Sequence, residues 1–76
     1  MSERPDELKK LAAIAADMQL PGGMRSKAID QIGNIASYEA LLTLLEIAAN
    51  EGLANSDREH ALKQAKEVIK KTSHQK

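Results

Sequence analysis

YEALLTLLEIAAN, running from Tyr38 to Asn50, is the stretch that decides how the rest of the chain must be arranged. At 100° per residue, Glu39, Thr43, Glu46 and Asn50 share one narrow polar stripe, and the rest of the circumference is apolar. Leu41, Leu44 and Ala48 make one apolar stripe; Tyr38, Leu42, Leu45 and Ala49 make a second. A helix this apolar must be covered on more than one side. Its first stripe can face a hairpin partner, while its second calls for another helix or another molecule.

Outward from this hub, turn signals separate three further helical patterns. Toward the N-terminus, Leu8, Leu11, Ala12, Ala15 and Met18 predict the apolar face of a helix over 5–18, with Pro5 in its first turn and Asp6 and Glu7 opposing the positive end of the dipole. The run Leu20-Pro21-Gly22-Gly23 predicts a turn that ends it. A second helix is expected over 24–36, burying Ala28, Ile29, Ile32, Ile35 and Ala36. Gly33 inside it costs about 1 kcal/mol relative to alanine, which a close helix contact would justify. Ser37 is the expected N-cap of the hub helix. Beyond the hub, Glu51 to Asn55 form a break, and Ser56 with Glu59 carry the spacing of a capping box. A fourth helix over 57–71 is expected to bury Ala61, Leu62, Ala65, Val68 and Ile69, leaving 72–76 as a flexible tail.

Composition limits what these helices can do. A chain of 76 residues makes one domain with a core near the lower limit of independent stability. With no Phe or Trp and a single Tyr, that core must be built of Leu, Ile, Ala and Met, the residues of packed helices. The absence of cysteine excludes disulfides and thiolate chemistry. No run approaches the length of a membrane span, and MSERPDELKK is charged where a signal peptide is apolar, so the expected location is cytoplasmic. Formal net charge is zero, yet residues 1–56 carry five basic and eight acidic groups and residues 57–76 carry six and three.

A shift of 33 residues aligns the chain with itself. It pairs Leu8 with Leu41, Leu11 with Leu44, Ile14 with Ile47, Leu20 with Leu53, Arg25 with Arg58, Ala28 with Ala61 and Gln31 with Gln64, without a gap. A duplicated helical hairpin is the direct reading, with units over 6–36 and 38–70. Met24-Arg25, Ala28-Ile29 and Ile32-Gly33-Asn34-Ile35-Ala36 resemble the second helix of HEAT-like (armadillo/HEAT-type) repeats, and Leu8, Leu11, Ile14 and Asp17 resemble the first. The second copy keeps Leu41, Leu44, Ile47 and Arg58 but departs from the pattern at Asn50, Asp57 and Lys66, which weakens the expectation of a polar ladder between units there. The resemblance implies an all-α fold, four helices in two stacked antiparallel hairpins forming a short α-solenoid, and a scaffold that binds other proteins.

Residues with chemical potential have structural readings that account for them better. Arg25 and Arg58 open their helices on the apolar side, where an arginine lays its stem on the core and reaches a carboxylate, Asp17 being the candidate for Arg25. Gly22, Gly23, Arg25, Ser26 and Lys27 have the makings of a phosphate cradle, but they lack P-loop spacing and a preceding strand, so a plain turn is expected. His60 and His74 lack metal-ligand spacing and are expected in solvent, as are Glu39 and Glu46 on the polar stripe. No catalytic constellation, cofactor site or metal site emerges. The expected function is a small non-catalytic protein-interaction or regulatory scaffold module, with Tyr38, Leu42, Leu45 and Ala49 as the interface toward a protein partner or a second copy in a homodimer. The alternative is a nucleic-acid-associated protein using Lys63, Lys66, Lys70 and Lys71 of the basic fourth helix; interrupting glutamates and the lack of stacking aromatics disfavour it.

Overall fold

The computed structural model describes residues 5–73, with the side chain of Ser73 excepted; His74 and Lys76, and the part of the expected tail over 74–76, lie outside the described residues. It contains four α-helices: α1 Asp6–Ala15, α2 Gly22–Ile35, α3 Tyr38–Ala48 and α4 Asn55–Ser73. No strand occurs among the described residues. α1 packs on α2, and α3 on α4. α2 also touches α3 and α4, and α1 touches α3, so α2 is in contact with every other helix.

The two prolines open helices rather than closing them. Pro5 and Pro21 both stand one residue before a helix in extended conformation, with φ and ψ of −57° and 148° and of −58° and 146°. Pro21 accepts at its carbonyl from the amides of Met24 and Arg25 at 3.0 and 3.3 Å. Gly22 and Gly23 therefore form the first turn of α2, with negative φ, instead of the expected loop. α1 stops three residues sooner than its apolar spacing predicts because Asp17 offers the backbone a competing turn. Its carboxylate accepts from the Gln19 amide at 2.9 Å, and Met18 is left exposed. Asn50 makes the same bond to the Gly52 amide at 2.9 Å and ends α3.

These loop bonds recur at the 33-residue spacing. The amides of Ala16, Asp17 and Leu20 bond to Ala12, Ile14 and Asp17, and those of Ala49, Asn50 and Leu53 bond to Leu45, Ile47 and Asn50, all between 3.0 and 3.2 Å. The last residues of α1 and α3, Ala15 and Ala48, are related by that spacing, as are the first residues of α2 and α4, Gly22 and Asn55. Because α4 begins at Asn55, Ser56 lies inside its first turn, and the capping box expected of Ser56 and Glu59 gives way to this start. α4 also runs through Thr72, whose hydroxyl donates to the carbonyls of Val68 and Ile69, both at 3.1 Å.

The corner between α2 and α3 turns on Ala36 in the left-handed region, φ 54°. Ser37 then caps α3 as expected, its hydroxyl accepting from the Ala40 amide at 3.0 Å. The core is Leu8, Ala15, Ala28, Ile29, Ile32, Ala40, Leu44, Ile47, Leu53, Ala61, Ala65 and Val68. On α3, Thr43 departs from the expected polar stripe and is buried, 1% exposed. Threonine has nearly the shape of valine, and its hydroxyl donates to the Glu39 carbonyl at 2.8 Å, so burial leaves no orphaned polar atom. On α4, Leu62 and Ile69 were expected inside but remain exposed. The buried arc of that helix is Asp57, Ala61, Ala65 and Val68, whose small alanines let neighbouring helices approach closely.

Candidate functional site

α3 brings its second apolar stripe to the surface. Tyr38 is 70% exposed and Leu45 41%. Ala49 is exposed and Leu42 half-buried. α1 touches α3 without closing over these residues: Ala12 is half-buried and Ala16 exposed. The stripe begins at the Ser37 cap, which fixes the entry of the chain into the helix and with it the direction in which Tyr38 projects.

The lysines of α4 are all on the surface. Lys63, Lys66, Lys70 and Lys71 are exposed, and Lys70 Nζ lies 3.9 Å from Glu67 Oε2. At 100° per residue Lys63, Lys66 and Lys70 share an arc of about 60°, and Lys71 points away from it. Arg58 lies about 80° beyond the Lys66 edge of this arc, half-buried, with Nε donating to the Ala48 carbonyl at 2.9 Å. Together with Ala48, Asn55, Glu59 and Leu62, it lines an open depression of about 390 Å³ between α3 and α4.

Arg25 is engaged differently from the sequence expectation. Its partner is Asp57, not Asp17: Nε donates to Asp57 Oδ2 at 2.7 Å, and Nη1 donates to the Leu20 carbonyl at 2.7 Å. Both side chains of the ion pair are about nine-tenths buried. Asp57 is one of the departures in the second copy, the residue standing where the first copy has Met24, and it ties α4 to the start of α2. Nε and Nη1 of Arg25 are thus engaged within the fold, while Nη2 stands 3.6 Å from where a Cβ on Gly22 would lie.

A second polar contact joins the same two helices. His60, expected in solvent, places Nε2 2.7 Å from Asp30 Oδ1, and Gln64 Nε2 donates to the same oxygen at 3.3 Å. Gln64 also lies over Gly33: a Cβ there would meet Gln64 Cδ at 3.0 Å and Gln64 Cβ at 3.3 Å. This is the close helix approach that the glycine predicted. No sequence signal within one helix marks Asp57 or His60 as a partner; the internal repeat alone, by pointing to Asp57 as a departure, singles one of them out.

Between α1 and α2, Leu11, Ile14, Met24, Lys27, Ala28 and Gln31 line an open, mostly apolar depression of about 200 Å³. Among the described residues no three His, Asp or Glu side chains are grouped so as to hold a metal ion, and no helix is long and apolar enough to cross a membrane. No family model, curated protein or solved structure matches the chain.

Proposed function

We propose that the chain is a non-catalytic protein-interaction module in which two HEAT-like hairpins, α1 with α2 and α3 with α4, are stacked side by side. The recurring loop bonds and helix ends support the duplication, and the pairings of α1 with α3 and of α2 with α4 support the stacking. The observation that carries the interaction is the exposure of Tyr38 and Leu45 on the most apolar helix of the chain. With Leu42 and Ala49 they form a docking stripe for a protein partner or a second copy. A photo-cross-linking phenylalanine analogue in place of Tyr38, introduced in the native cells, tests this directly. An adduct with a second protein or with the chain itself is expected, and it should disappear on Leu45→Lys while helicity is retained. Absence of any Leu45-dependent adduct would sink the reading.

A further inference from the structure

We infer that the outward flank of α4, formed by Arg58, Leu62, Lys63, Lys66 and Ile69, is a second docking surface, and that its occupant is a carboxylate-bearing helix of a partner protein. The inference rests on the repeat reading above and is independent of the α3 stripe. The molecule contains its own template for the contact. α4 lies on α2 by setting Asp57 against Arg25, His60 and Gln64 against Asp30, and Gln64 over Gly33, and Ile29 of α2 is fully buried.

Moved by 33 residues, the α2 side of that contact becomes Arg58, Leu62, Lys63 and Lys66 of α4. The arginine and the apolar residue are kept, but Leu62 is 44% exposed, and no carboxylate pairs with Arg58 among the described residues. Among the described residues α4 touches only the helices α2 and α3. Asp30 has become Lys63 and Gly33 has become Lys66, so two positions that accepted neutral or weakly basic groups now present ammonium ions.

These changes define the complement. The incoming helix carries a carboxylate in the place of Asp57, to pair with Arg58, and two more in the places of His60 and Gln64, to pair with Lys63 and Lys66. The pattern is acidic at i, i+3 and i+7, which lies along one face of a helix. Lys66 in place of a glycine holds this helix further out than α4 sits on α2, and the long stem of lysine spans the difference. Leu62 and Ile69 supply the apolar floor. Glu59 shares the arc and Glu67 stands at its edge, 3.9 Å from Lys70, but these two acids are outnumbered by Arg58, Lys63, Lys66 and Lys70.

A second copy of the chain is a poor occupant in this geometry. It would present Met24, Lys27 and Gln31, the residues 33 positions before Asp57, His60 and Gln64, setting a lysine against Lys63 and leaving Arg58 without an acid. Nucleic acid is a poor occupant too, since the centre of the flank is aliphatic and holds no aromatic to stack on a base.

The test is an NMR titration of the full chain with a stapled helical peptide bearing Glu at i, i+3 and i+7, and with the same peptide bearing Gln. The amides of 58, 62, 63, 66 and 69 should shift with the Glu peptide. Affinity should fall about tenfold or more with the Gln peptide, fall similarly for the exposed-site variant Lys66→Glu, and decline as salt rises. Equal binding of both peptides, or no shift at all, overturns the inference. So do shifts centred on Tyr38 and Leu45, which would leave the α3 docking stripe standing. A dimer dissociated by Lys66→Glu, or an oligonucleotide that binds these amides more tightly than the peptide, also overturns it, in favour of a second copy or of nucleic acid.

Discussion

Asp57 of α4 meets Arg25 of α2 in a buried ion pair between the two helices. Its carboxylate and the Arg25 guanidinium are both withdrawn from water, and their bond is short. Desolvating two ions offsets much of their attraction, so the pair contributes little net stability relative to well-packed apolar residues. Removing one partner is different, because it strands the other charge in the interior. Asp57→Ala should lower stability by about 3–5 kcal/mol, while Arg25→Met with Asp57→Leu should recover most of that loss. Urea denaturation followed by circular dichroism measures both, and a double variant no more stable than Asp57→Ala would show that the ionic contact itself sustains the fold.

At the scale of helices, α4 comes close to α2 at Gly33. Alanine there gains about 1 kcal/mol of helix propensity, but its Cβ runs into Gln64, the side chain that also reaches Asp30. The hardest part of the clash falls on the flexible end of a glutamine, which can move at the loss of one exposed hydrogen bond, and Gln64 Cβ at 3.3 Å has to yield by a few tenths of an ångström. Gly33→Ala is therefore expected to be nearly neutral in the native protein and stabilising by about 1 kcal/mol in a Gln64→Ala background. A thermal double-mutant cycle measures the difference, and an equal effect in both backgrounds would mean that Gln64 does not restrain the site. The same interface explains why α4 turns Leu62 and Ile69 outward. Asp57, Ala61, Ala65 and Val68 occupy the buried arc, and their small volumes suit the short interaxial distance that Gly33 permits.

For the molecule as a whole, the question is whether the halves fold as one. Leu44 is fully buried in a core cluster that includes residues of all four helices. Leu44→Ala should cost about 2–5 kcal/mol, a large share of the stability of so small a domain. Because α2 touches every other helix, amide protection should fall in α1 and α2 as much as in α3 and α4. Hydrogen exchange that loses protection only across 38–73 would show two separable units.

The sequence by itself determined the elements and their order. Apolar spacing of 3.6 residues marks each helix, Ser37 marks a cap, Gly33 marks a close approach, and the 33-residue self-similarity carries through to matched helix ends and loop bonds. All of these are written within a few residues of where they act, or are repeated along the chain. Tertiary structure alone decided which edge of each helix faces inward, and so put Thr43 in the core and left Leu62 and Ile69 outside. It also decided the polar partners, Asp57 for Arg25 and Asp30 for His60, across separations of about thirty residues. The physical reason is rotational: periodicity locates an apolar face to within an arc broad enough to include its borders, and the packing of one helix against two others turns that arc by tens of degrees, enough to carry a border residue in or out and to choose which charges meet.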